Sequence, residues 1–443
     1  MTDRDALIEP AAVLGPISAS ARTRPRLLAR TVDPLVKNSI VMATNVFIAA
    51  VLGFMFWTLA ARWYSPSEVG PVSALIGLVG LTSALSTLGM PETVLRFLGS
   101  STDQFGLLAR AAVTVAAVGL ASGVVVGLVW RLAGRPIGGS TVLIVALVAV
   151  MVAANATANV ADSAVVAVGR PMILIVESLS GGVTKNVLLA LAVALGVGSV
   201  GLVAALALAV VIGGLALLIR MHRSITLTRD RDHPALLRRS RSYSFVNWVG
   251  GAASMVPAAT VGTIAIAKIG PAAGAYIGVP LMILAAINVI PATAAKSLFA
   301  EASLDPRHLA ALTRRTMLFT WAMLAPVAAA IALVGPRLLG AFGSEYVVNS
   351  TSALRWMCLA SIAAASNYVG DVVLNVRMDR IEYLVANVAG SVCVFVAAFI
   401  GASASVAGIA VGWVAGQAMY GVIVWAMVAG RPFARRGLEV PRD

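Results

Sequence analysis

The chain has 443 residues, of which 59% are hydrophobic and only 12% charged, with a formal net charge of +14. This balance excludes a soluble globular domain, because apolar runs of about twenty residues would face water. Two cysteines, Cys358 and Cys393, both in apolar runs, cannot make a zinc site on their own.

The first 37 residues are polar, carry proline and are basic from Arg22 to Arg30. No short apolar core followed by a small-residue cleavage site occurs there, so 1–37 reads as a disordered cytoplasmic tail. Six apolar runs follow, at roughly 38–60, 70–90, 107–130, 141–167, 172–196 and 199–219. A charged stretch at 220–242 interrupts the pattern. Six more runs lie near 243–266, 272–292, 313–334, 351–375, 382–400 and 405–428, and a basic tail, 429–443, ends the chain. Each run matches the ~20 residues that a helix needs to cross ~30 Å of hydrocarbon. Period-two alternation is absent, which argues against a β-barrel. Backbone polar groups must be satisfied inside lipid, so the runs are helices. The expectation is an all-α polytopic membrane protein of twelve transmembrane helices, arranged as two parallel six-helix lobes, 38–219 and 243–428, around a central cavity. The basic linker 220–242 joins them.

Most of the 33 Lys and Arg fall on the side that holds both tails and the linker. The positive-inside rule then puts both termini in the cytoplasm and the chain, multi-pass, in the inner (plasma) membrane. The positive charge is mainly a topology signal. Nucleic-acid binding would need a soluble basic face with its own motif, and none is visible.

The two halves echo each other. Met90-Pro-Glu-Thr-Val-Leu-Arg96 reappears about 200 residues later as Ile290-Pro-Ala-Thr-Ala-Ala-Lys296. Arg62-Trp-Tyr-Ser-Pro-Ser-Glu-Val-Gly70 finds a weaker echo in Lys268-Ile-Gly-Pro-Ala-Ala-Gly274, and Asp162 in Asp371. Six spans per half make the repeats parallel, and a doubled membrane chain of this kind places its substrate path between the halves.

Leu338-Leu-Gly-Ala-Phe-Gly-Ser-Glu-Tyr346, the apolar segment after it and Asn375-Val-Arg-Met-Asp-Arg380 resemble the second-half signature of Wzx-type polysaccharide and oligosaccharide flippases. Ala60-Ala-Arg-Trp-Tyr-Ser-Pro-Ser-Glu-Val-Gly70 is similar to the turn after their first helix. These flippases form the polysaccharide transporter branch of the multidrug/oligosaccharidyl-lipid/polysaccharide exporter superfamily. The resemblance covers roughly 38–428. It implies a V-shaped bundle that moves polyprenyl-(pyro)phosphate-linked oligosaccharide from the cytoplasmic to the outer leaflet by alternating access, for surface polysaccharide assembly. It also implies a polysaccharide polymerase or glycosyltransferases as partners. Twelve spans fit this branch, whereas the lipid II flippase branch usually carries two more.

Charges inside apolar runs cost about 2.5–3.5 kcal/mol each on insertion scales and need a reason. Asn155, Asn159 and Asp162 are spaced to share one helical stripe, and Asn367, Asp371 and Asn375 form a second. The bland reading of the asparagines is interhelical hydrogen bonding. At 1.5 Å per residue Asp162 lies about 12 Å from Arg170, and Glu177 about 9 Å from Pro171, so the two carboxyls are at similar heights on adjacent helices. They form a candidate site for a coupling proton or Na⁺, unless Glu177 turns back to Arg170. Lys185 sits about 12 Å beyond Glu177, near the level of Asn155. Arg62 and Lys268 at the outer ends, with Arg96 and Lys296 at the cytoplasmic ends, are candidates for the phosphate of the cargo. Arg355, with Glu345 as a candidate partner, is a further cavity cation. The bland reading of Arg96 and Lys296 is ordinary headgroup contact.

Ser-His-Asp sets, phosphate-binding loops and metal-ligand spacings are missing, and the outer loops are short, so no catalytic residues, resident cofactor or bound metal are expected and the chain does not read as an enzyme. Two other readings stay open: a multidrug or cation antiporter of the same superfamily, which would use Asp162 and Glu177, and a membrane scaffold without transport.

Overall fold

The computed structural model of the chain describes residues 34–134, 137–228, 241–304, 306–377, 379–403 and 405–430. Residues 1–33 of the expected tail, 229–240 of the expected linker and 431–443 lie outside the described residues. Twelve helices among the described residues are long and apolar enough to cross a membrane, and the chain is a multi-pass membrane protein.

The first half contains α1 (Pro34–Trp63), α2 (Pro66–Ser86), the short α3 (Met90–Phe97), α4 (Gln104–Leu132), α5 (Thr141–Ala167), α6 (Met172–Ala194) and α7 (Ser199–Ser224). The second contains α8 (Arg241–Lys268), α9 (Pro271–Ile287), α10 (Val289–Leu304), α11 (Leu309–Gly340), α12 (Ser344–Val376), α13 (Arg380–Gly401) and α14 (Val406–Gly430). Helix α1 begins four residues inside the expected tail. Helix α2 starts at Pro66, earlier than its apolar run, because a local motif nucleates it. Pro66 occupies the first turn, and the Ser65 amide donates to Glu68 Oε2 over 3.1 Å. The run near 70–90 is also broken where no break was expected. Leu88 (φ 52°) and Gly89 (φ 72°) turn left-handed, and Pro91 then sits in the first turn of α3. In the second half α9 likewise gives way to α10 just before Pro291, but Asn288 there stays right-handed at φ −68°.

Within the first half, α4 packs on α5, α6 on α7, and α1 on α6. Within the second, α13 packs on α14, α12 on α11 and α14, and α8 on α13. The halves meet chiefly through α2, which lies against α8 and α9. Small residues permit this approach. A Cβ on Gly70 would lie 2.0 Å from the Pro271 carbonyl oxygen, and one on Gly274 would lie 2.8 Å from the Gly70 oxygen.

The cores differ between the two ends. At the end that holds Tyr64 and Phe342, one hydrophobic core runs across both halves, from Phe56, Leu75 and Leu202 to Leu339, Phe342 and Tyr346. At the opposite end each half has its own. Val94, Leu107, Val160 and Leu174 pack in the first, and Leu298, Val369, Val373 and Val424 in the second. The core is therefore joined at one end and divided at the other, although α2 and α8 still touch there.

Candidate functional site

A cavity of about 680 Å³ lies between the first half and the inner face of α8. Its polar wall comes from α2, α3, α5 and α8. Helix α5 supplies Asn155, Asn159, Asp162 and Ser163, and the α2–α3 break supplies Ser83, Thr87 and Glu92. Helix α8 supplies Trp248, whose Nε1 donates to the Ala84 carbonyl over 3.0 Å. The stripe expected on α5 thus faces a hollow between the halves. Helical spacing puts its three members on one face. Asn155 also donates through Nδ2 to the Met151 carbonyl, 2.9 Å away, which fixes its carboxamide.

The carboxyls of Asp162 and of Glu177 on α6 come close enough to interact, and Asp162 Oδ1 is buried without a hydrogen-bond partner. Two sheltered carboxyls this close repel when both are charged, and a proton on one of them relieves the pair. The heights estimated from helix rise therefore meet in space, and Glu177 turns to Asp162 rather than to Arg170. Lys185 is on the α1 side of α6. Its ammonium is 6.0 Å from the Phe56 ring centroid, and a Cβ on Gly53 would be 3.7 Å from it.

Asp371 occupies the matching span of the second half but not a matching environment. Tyr420 OH lies 3.0 and 3.2 Å from its two oxygens, and Asn387 Nδ2 donates to it over 3.2 Å. The same hydroxyl is 2.9 Å from Asn387 Oδ1. One hydroxyl hydrogen thus faces three acceptor oxygens, inside the junction of α12, α13 and α14. Asp371 is not among the residues that line the cavity.

The five basic candidates also lie off that wall. Arg62 is exposed and donates through Nε to the Ala341 carbonyl over 2.7 Å. Lys268 is exposed, with its ammonium 4.3 Å from the Phe399 ring centroid. Arg96 and Lys296 are exposed at the divided end, on α3 and α10, and the Arg96 guanidinium lies 5.5 Å from the Phe97 ring centroid. Arg355 Nε reaches the Ala332 carbonyl at 3.5 Å, while its expected partner Glu345 instead accepts from Tyr276 OH over 2.9 Å. The physical reason is helical phase: a basic residue at a helix end turns to the nearest carbonyl, ring or water, and pays desolvation if it turns inward.

Beside the joined end, Tyr64 donates to the Val197 carbonyl over 2.9 Å. Burial, and then the charge of Glu68, push its phenol above the usual value. Sequence reasoning missed Glu92 and Trp248. Glu92 stood inside the repeated segment, and the repeat does not keep it, since Ala292 replaces it.

No protein-family model matches the chain, and no curated protein matches its sequence. Solved structures do match its fold. A multidrug resistance MATE family transporter of the MOP superfamily, in an inward-facing conformation, superposes with a TM-score of 0.65 at 16% identity, covering 90% of this chain and 100% of that one. A MATE family transporter of the MOP superfamily in an outward-facing conformation gives 0.59 at 14% identity, covering 89% and 96%. A MOP superfamily transporter from Pyrococcus furiosus, described as having a binding pocket of reversed polarity, gives 0.61 at 14% identity, covering 89% and 96%. The chain has the twelve-helix fold of the MATE transporters of the MOP superfamily.

Proposed function

We propose that the chain is an alternating-access transporter that carries a polyprenyl-(pyro)phosphate-linked oligosaccharide across the membrane, with the sugar in the cavity and the phosphate at its rim. The composition of the cavity wall carries this reading. Carboxamides, hydroxyls and carboxylates both donate to and accept from sugar hydroxyls, and an indole offers an apolar face to pyranose C–H groups. The phosphate has no partner on that wall, so its site moves from Arg62 and Lys268 to the basic rim at the divided end, where Arg96 and Lys296 stand. The positive-inside rule puts that end in the cytoplasm, so the joined end is the closed outer side. The likeness to an inward-facing neighbour supports the same orientation.

Energy enters through the Asp162–Glu177 pair. A proton held between two carboxyls on the cavity wall can be released or replaced by Na⁺ when the cavity changes sides. Asp371 with Tyr420 and Asn387 is a second candidate for that role in the other half.

A second reading is export of an organic cation, and one observation favours it: Glu92 and Asp162 line a cavity that has no Lys or Arg among its described lining residues. Purified protein in proteoliposomes separates the two. A prenyl-pyrophosphoryl saccharide should gain accessibility to an added lectin on the far side. Failure of that exchange, together with gradient-driven uptake of tetraphenylphosphonium, overturns the flippase reading in favour of the cation exporter.

A further inference from the structure

Resting on the reading of the cavity as a saccharide site, we infer that the transported glycan is neutral or amino-bearing, and that Glu92 together with Asp162 excludes sugars that carry a carboxylate. The observation is an asymmetry between wall and rim. Arg96 and Lys296 at the divided end are exposed, and no described Lys or Arg is in the cavity lining. Inside, the ionisable lining residues are both acids. Glu92 stands at the α2–α3 break, on the way from the rim to the stripe on α5. A uronic acid entering there meets like charge first at Glu92 and then at Asp162, with no cation among the described residues of the wall to offset it. Like charges facing one cavity repel, whereas a neutral hexose meets the same oxygens as hydrogen-bond acceptors. An amino sugar adds an attraction to both carboxylates.

The wall also orients the sugar. The Trp248 ring is fixed by its bond to Ala84, and the polar stripe comes from α5, a helix of the first half. A pyranose between them sets its hydroxyl edge toward Asn155, Asn159 and Asp162. That edge is where a carboxyl at C6 would project. Rejection therefore follows from position as well as from net charge, and rejection through unpaired or like-charged groups gives larger discrimination than loss of a single contact.

The full-length protein in nanodiscs provides the test. Two probes are titrated against it: a decaprenyl-pyrophosphoryl disaccharide of two neutral hexoses, and the same lipid with a uronic acid as the second sugar. The neutral probe should bind about tenfold more tightly or better, as like charges at ~10 Å in an intermediate dielectric require. In Glu92→Gln the ratio of the two affinities should fall to within about twofold to threefold, since one of two repelling charges is gone. Equal affinities for the two probes in the unaltered protein overturn the exclusion while leaving the saccharide reading in place. A preserved ratio in Glu92→Gln overturns Glu92 as its determinant. Binding of neither probe, with tetraphenylphosphonium bound, overturns the saccharide reading itself.

Discussion

Arg62 Nε donates to the carbonyl oxygen of Ala341 over 2.7 Å and so ties the end of α1 to the end of α11 in the opposite half. The bond sits beside the core shared by both halves, where Phe54 meets Phe342 edge-on at 5.2 Å between centroids. The acceptor lies at the C-terminus of a helix, where carbonyls lack intrahelical partners and the helix dipole favours a cation. Arg62, expected as a phosphate ligand, here places its Nε on a bond between the two halves.

Arg62→Ala should therefore loosen the joined end without unfolding either half. A net hydrogen bond of this type stabilises by about 1 kcal/mol, which shifts a two-state equilibrium about fivefold. A cysteine placed at Ala341 would report it through its labelling rate with a membrane-impermeant maleimide, after the native Cys358 and Cys393 are replaced. Labelling should quicken in the Arg62→Ala background. An unchanged rate would show that apolar contacts and the Gly70–Gly274 approach alone hold this end shut.

Tyr420→Phe removes the hydroxyl that serves both oxygens of Asp371 and Asn387 Oδ1. Asp371 is then left with the Asn387 amide alone, Asn387 Oδ1 loses its donor, and leaving such groups unsatisfied costs about 1–3 kcal/mol. Thermal unfolding in detergent should drop by several degrees, about 2–4 °C per kcal/mol for larger domains. The double variant Tyr420→Phe with Asp371→Asn should recover part of the loss, because an amide supplies its own donors. Equal melting of the single variant and the unaltered protein would mean that water replaces the hydroxyl.

The sequence reveals the membrane class, the twelve spans and the doubling because each depends on local composition and on period. The stripe Asn155, Asn159 and Asp162 is legible for the same reason: helical spacing alone puts the three residues on one face, and cost alone demands that the face be sheltered. The pairing of Asp162 with Glu177 is legible from rise per residue across a short turn. The directions of Arg62, Lys268 and Arg355 are not, since a residue at a helix end can turn to any neighbour that tertiary packing brings near. The break that makes α3 a separate helix was signalled by Gly89 and Pro91, but an apolar run of the right length concealed it. Glu92 and Trp248 escaped for related reasons. An acid in the first turn of a helix reads as dipole complement, and a tryptophan near a span's end reads as an interface anchor. Both readings are local, whereas the cavity joins α2, α3, α5 and α8.

Asp162→Asn tests whether the pair at the cavity drives transport. The substitution is close to isosteric and its amide can bond to Glu177, so the junction of α5 and α6 should persist. It removes one of the two carboxyls between which the proton is held. Uphill accumulation of cargo under an imposed proton or sodium gradient should then fall to a ratio of about 1, since coupling is a free energy between two sites and vanishes with one of them. Downhill exchange between leaflets should continue, because the stripe still offers polar groups to the cargo. Glu177→Gln should act in the same direction through the other member of the pair. Retained gradient dependence in both variants would move coupling to the second half, where Asp371→Asn should then abolish it. Loss of downhill exchange along with coupling would instead make Asp162 a contact of the cargo first and an ion site second.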